Sequence, residues 1–152
     1  MPIDFEQLVS TSGDAVVVAD PEGAIVLWNA AAERLFGWTA EEALGRSLDL
    51  IIPERLRARH WDGYWKVMQS GTTRYGSDIL RVPAEHKEGR RLSIAFTVGL
   101  LKSADGKVTG ITSIIRDDTA RWEDERALRK RLADLETELE AAQKTEPGSK
   151  AR

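Results

Sequence analysis

The chain contains no cysteine. Disulfides, thiolate nucleophiles and thiolate metal ligands are therefore excluded in one step. An excess of one charge sign is also missing: the net charge is −3, and acidic and basic residues are interleaved. Nothing supplies the basic footprint that neutralises nucleic-acid phosphates. No run approaches the roughly 18 apolar residues of a membrane span. The opening Met1-Pro2-Ile3-Asp4-Phe5-Glu6 lacks the basic and apolar blocks of a signal peptide. These absences point to a soluble, cytoplasmic protein with no nucleic-acid or membrane partner. No Ser/His/Asp set, His-rich metal motif or phosphate-cradling glycine loop is present, so an enzyme is not expected.

What is present is enough for a core. A chain of 152 residues, 41% of them hydrophobic, supports one compact domain of about 100–130 residues plus a tail. Residues 3–12 form an amphipathic lead-in with Phe5, Leu8 and Val9 on one helical face. Ala15–Ala19 is apolar and β-branched, Asp20-Pro21-Glu22-Gly23 is a turn signal, and Ala24–Trp28 reads as the returning strand. Asn29 is a good N-cap for a helix over Ala30–Phe36, which Gly37 can end in the left-handed region. Thr39 and Glu42 read as a capping box for a further short helix, closed by Gly45.

Pro53 is placed to start a longer helix over about Arg55–Ser70, ended by Gly71. Thr73–Val82 reads as a strand, His86-Lys87-Glu88-Gly89 as a polar turn, and Arg90–Leu101 and Val108–Ile115 as further strands. The pattern predicts an α+β domain, an antiparallel sheet with helices on one face and a ligand cavity between the layers. From about Thr119 the character changes. Leu128, Leu132, Leu135 and Leu139 are spaced 4, 3 and 4, a seam that fits a short coiled coil and a parallel dimer. The organisation expected is a domain over 1–119, a coiled-coil helix over 120–146 and a disordered tail over 147–152.

The Trp28-Asn29 pair, Leu35-Phe36-Gly37-Trp38 and the Glu42-x-x-Gly45 spacing resemble the first half of the PAS domain family. Arg116-Asp117-Asp118-Thr119 is similar to the family's closing Asp-Ile-Thr-like motif, with Asp118 where an Ile is common. The resemblance implies a five-stranded antiparallel sheet and a sensory role. It also implies signal relay at Asp117 and Thr119, where the sheet hands over to the tail. Dimerisation through flanking helices and an output kinase or other effector, fused or separate, follow from the same resemblance. The missing cysteine excludes light-oxygen-voltage and yellow photoactive photosensors, which need a reactive or tethering thiol. Non-covalent flavin stays open, although the Arg55–Ser70 helix holds no Asn/Gln cluster that would read its edge.

Haem b is the cofactor the resemblance favours. The segment His60-Trp61-Asp62-Gly63-Tyr64 is similar to the His-Asp-Gly-Tyr segment of rhizobial oxygen-sensing PAS kinases, whose His binds haem iron. On that resemblance His60 is the metal ligand, and Tyr64 and Val67 share its helical face. Trp61 begins an adjacent apolar stripe with Trp65 and Met68. Trp61 also stands between His60 and Asp62, so a register set by Asp62-Gly63-Tyr64 turns His60 by about 100°. Those sensors contact bound gas with a strand arginine, for which Arg81 is the nearest candidate and Arg74 the second. Trp38, Trp61, Tyr64, Trp65 and Phe96 could line an aromatic pocket, whereas Trp28 and Phe36 read as core. His86 reads as an ordinary turn residue. The alternative reading is a dimerisation and relay module without haem, empty or holding a small organic ligand.

Overall fold

The computed structural model describes residues 1–145. The expected tail over 147–152 lies outside the described residues. The chain divides into two compact units, Met1–Asp118 and Thr119 onward.

In the first unit, helix α1 (Phe5–Thr11) is capped by Asp4, whose carboxylate accepts the Gln7 amide at 3.0 Å. Strands β1 (Ala15–Ala19) and β2 (Ile25–Trp28) form a hairpin. Its turn is held by the Asp20 carboxylate, which accepts from the Glu22 and Ala24 amides. Helix α2 (Ala30–Phe36) starts at Asn29 and stops at Gly37, which adopts φ +81°. A Cβ on Gly37 would meet the His86 ring at 2.5 Å, so the stop also lets His86 pack there. Helix α3 (Ala40–Ala43) is capped by Thr39, which accepts the Glu42 amide at 3.1 Å. A 3-10 turn (Leu48–Leu50) leads into helix α4 (Glu54–Ser70). Strands β3 (Leu80–Glu85), β4 (Arg91–Lys102) and β5 (Val108–Asp117) complete one antiparallel sheet in the order β2-β1-β5-β4-β3.

The third strand departs from expectation. It begins at Leu80, not Thr73, and runs on to Glu85. Residues 72–79 form an irregular loop instead, with a turn over Tyr75–Asp78. Gly71 and Gly76 take positive φ there, and the Asp78 amide donates to the Tyr75 carbonyl at 2.8 Å. Backbone of that shape breaks a β ladder whatever the propensity of the threonines. Pro83 is tolerated because β3 is a sheet edge.

Alternation on the paired strands sorts the side chains. Ala15, Ile115, Ile94 and Ala84 face inward and join Ile25, Trp28, Ala32 and Phe36 in the buried core. The core is concentrated where α2 packs on β1; α4 has little backbone contact with the sheet.

The second unit is helix α5 (Thr119–Thr145). Leu128, Leu132, Leu135 and Leu139 are exposed along it by 69, 58, 43 and 58%. Arg121 and Arg129 both pair with Glu125, one turn away on either side.

Candidate functional site

Helix α4 sets the site. Its start follows Ile51, whose carbonyl accepts the Glu85 amide at the end of β3. Its end lies near β5, for a Cβ on Gly71 would sit 4.0 Å from Val108 Cγ2. Its middle is tied to the β1–β2 turn. The Tyr64 hydroxyl donates to the Asp20 carbonyl, and the Trp61 ring lies against Gly23 so closely that a Cβ there would collide with it. The helix therefore crosses the inner face of the sheet.

His60 and Tyr64, one turn apart, share the inward side of α4, as their spacing predicts. Tyr64 is buried, at 6% exposure. Burial and the nearby Asp20 and Glu22 charges push its phenol pKa well up, so it stays protonated. His60 is half-buried, with its ring edge-on to Trp61 at 4.7 Å and 5.8 Å from the Tyr64 ring. Burial lowers the imidazole pKa, and the Asp49 charge opposes that shift. The neutral form, which ligates metals, is favoured. His60 Nδ1 is buried without a hydrogen-bond partner. Val67 is half-buried, whereas Trp65 is 43% exposed.

Asp49 was not legible as part of this cluster. Its carboxylate accepts the Trp61 indole N–H at 2.8 Å and lies 3.9 Å from Arg57 Nε. Arg57 also donates to the Ile52 and Asp49 carbonyls. The 3-10 turn is thus strapped to the first turns of α4. Only its acid at a capped turn, Ser47-Leu48-Asp49, hinted at a role in the sequence.

Arg81 is corrected. It pairs with Ala95, which pairs with Arg116, while Leu80 pairs with Phe96 and Ile115. Ile115 belongs to the core. Leu80 therefore faces inward and Arg81 faces outward, its Nε 3.6 Å from Asp118. Arg74 is not brought to the site either, since its guanidinium lies over the Tyr75 ring and donates to the Tyr75 hydroxyl. Trp28 and Phe36 are core, with ring centroids 5.4 Å apart. Trp38 lies beneath Arg46 and Lys87, away from His60's ring cluster. His86 is buried, and its Nδ1 accepts the Glu88 amide at 3.1 Å.

Asp117 is the last residue of β5, opposite Ile94, and Thr119 is the first of α5. Between them the Asp118 amide donates to the Ser93 carbonyl at 2.8 Å, fixing the end of the sheet. The described surface depressions, of about 420 and 340 Å³, are lined around Pro53 and Glu85 and around Asp14 and Arg116; neither includes His60. Among the described residues, no helix is long and apolar enough to cross a membrane.

Comparison with known proteins gives one consistent answer. A family model described as the PAS fold matches residues 3–117. The sensor protein FixL of Bradyrhizobium diazoefficiens is 32% identical over 136 residues, covering 89% of this chain and 26% of that protein. The oxygen sensor protein DosP of Escherichia coli is 29% identical over 115 residues, covering 76% and 14%. The chain thus spans about a quarter or less of these relatives' lengths. The crystal structure of a PAS domain from Colwellia psychrerythraea superposes with a TM-score of 0.67 at 22% identity, covering 76% of this chain and 95% of that one.

Proposed function

The chain belongs to the PAS family, and from that premise we propose that it is a cytoplasmic sensory domain that carries haem b on His60. The observation that supports this most is the half-buried imidazole of His60 on the inward side of α4. Its neutral form is favoured by burial, and its Nδ1 is buried and unpartnered. A buried polar atom left without a partner costs about 1–3 kcal/mol, so one in a native site calls for an explanation. Imidazole is a common haem ligand, and when bound the group supplies an iron centre for a diatomic gas or a redox change. His60 would hold the iron, with Tyr64 and Val67 on the same side of the helix and Trp61 bracing the imidazole edge. On this reading the chain catalyses nothing itself.

The relay follows the chain. The end of α4 lies near Val108 at the start of β5, and β5 ends at Asp117, two residues before α5. A shift of α4 would reach α5 through Asp117 and Thr119. The exposed leucine seam of α5 would pair with a second copy and drive an output kinase or other effector, fused or separate.

An absorption spectrum of the protein with and without haemin, beside His60→Ala, tests the reading. A Soret band that shifts on reduction and weakens in the variant supports it. Haem binding unchanged by His60→Ala overturns the ligand assignment.

A second reading has its own support. The Tyr64–Asp20 bond and the Trp61–Gly23 contact fill part of the inner side of α4 with the protein's own aromatics. A dimerisation and relay module that is empty or holds a small organic ligand would look like this. It is colourless and takes up no haemin.

A further inference from the structure

We propose that Arg81 and Asp118 form an ion-pair latch through which the edge strand β3 sets how firmly the start of α5 is held. The latch deepens the relay reading, which takes α5 as the output, and it needs no cofactor. Its ground is the position at which the closing motif departs from the family's pattern. Asp118 stands where an Ile is common. A hydrocarbon side chain there only packs. A carboxylate with little access to water has to be met by a donor or a cation.

Strand register puts the two charges within reach. Arg81, Ala95 and Arg116 form one cross-strand row. The Asp118 amide donates to the Ser93 carbonyl at 2.8 Å, which carries the ladder one residue past β5. Asp118 therefore keeps the parity of Arg116 and shares the outer side of the sheet with Arg81. Ala95 is the residue between them on β4, and its methyl leaves Arg81 room to cross. Arg81 Nε stands 3.6 Å from the Asp118 carboxylate, whose side chain is only 12% exposed. The other cation of the row, Arg116, is gripped by Asp14 through bonds of 2.9 and 3.0 Å. Each arginine of the row thus has an acid.

What the latch joins gives it a use. Asp118 lies between the last residue of β5 and Thr119, where α5 begins. Strand β3 is a sheet edge, paired with β4 alone. It is entered from the irregular loop over 72–79, which follows the end of α4 at Gly71. An edge strand with such an entry shifts at less cost than the central strands. A displacement of α4 carried through that loop moves Arg81 while β1, β4 and β5 stay paired. Drawing Arg81 away takes a cation from a largely buried carboxylate, and the residue that leads into α5 loosens. A half-exposed arginine makes the pair a weak one, so a small shift is enough to work it.

The test is hydrogen exchange on the full chain, with Arg81→Gln, Asp118→Asn and the double variant. The first four amides of a helix lack an intrahelical acceptor, so Glu123–Arg126 are the ones to follow. Amides of β1 report the stability of the sheet unit. Asp118→Ile replaces Asp118→Asn if that variant unfolds the unit. Each single variant should speed exchange at Glu123–Arg126 about two- to fivefold and leave β1 unchanged. The double variant should do no more than either single one, because all three break the same pair. Added salt should speed these amides in the native protein and not in Arg81→Gln. Additive effects, or equal acceleration of β1 in Arg81→Gln, overturn the latch. Sedimentation of the same variants separates the latch from the relay. Faster exchange at the start of α5 with dimerisation unaltered keeps the latch and overturns the relay reading. Unchanged exchange overturns the latch and leaves the relay through β5 standing.

Discussion

The Tyr64 hydroxyl on α4 donates to the Asp20 carbonyl oxygen at the end of β1, 2.5 Å away and 44 residues apart in sequence. With the Trp61–Gly23 contact, this bond ties the middle of the site helix to the β1–β2 turn. The phenol is buried, and the same carbonyl also accepts the Gly23 amide at 2.9 Å, so removing the hydroxyl takes away one of its two donors. Tyr64→Phe keeps the ring and deletes the donor. The expected loss is about 1–2 kcal/mol, read as a lower urea midpoint with an unchanged slope. A variant as stable as the native protein would show that the bond contributes nothing.

Asn29 is a second junction. Its side-chain carbonyl accepts the Val16 and Ala32 amides, and its amide group donates to the Val9 and Asp14 carbonyls. One buried side chain thus joins α1, β1 and α2. Asn29→Ala removes the helix cap, worth about 1 kcal/mol, and strands several buried backbone groups. A total loss of about 3 kcal/mol is expected in chemical denaturation. Asn29→Asp should lose less than the alanine variant, because the cap oxygen remains while the donors go. Equal losses for the two would count against the junction.

His60 makes stability depend on pH. Burial lowers its pKa in the folded state below the ordinary 6.5. Below about pH 6.5 the unfolded chain binds a proton that the folded chain refuses. This contribution therefore falls as pH drops from about 6.5 toward the folded pKa, and levels off below it. His60→Gln removes the titration. Urea midpoints of both proteins at pH 7.5 and 5.5 should show a smaller pH-dependent drop in the variant. Parallel drops would assign the dependence to other groups.

The seam on α5 predicts a change of assembly. Leu132 and Leu135 are exposed by 58 and 43% along α5. A double change to glutamate places like charges on any paired seam. Sedimentation should report a dimer for the native chain and a monomer for Leu132→Glu/Leu135→Glu, with the PAS unit's circular dichroism retained. A native monomer at high concentration would remove the seam from the relay.

Much of the fold was legible. The Asn29 cap and the Gly37 stop bound α2 as their chemistry requires, and Ala15–Ala19 is β1 residue for residue. The spacing of His60 and Tyr64 correctly set them on one side of α4. The inner parity of β4 was also readable, since Leu92, Ile94, Phe96, Val98 and Leu100 alternate. What escaped was register. Arg81 lies one residue from Leu80, and a one-residue choice moves a strand side chain from one face to the other. The loop over 72–79 hid the true start of β3, so that choice had no anchor. Asp49 escaped because its partner Trp61 is 12 residues on, across a change of chain direction.

The sequence by itself determined the caps, the turns, the helix faces and the leucine seam. Each depends on residues within about four positions of one another, where backbone geometry alone sets who meets whom. Only the tertiary structure decided that Arg81 faces away from the core side of the sheet, that Leu80 lies on that side, and that Asp20 and Asp49 hold the site helix. Those outcomes rest on cross-strand pairing and on where α4 lands on the sheet. They are collective results of packing, and no local stretch of residues encodes them.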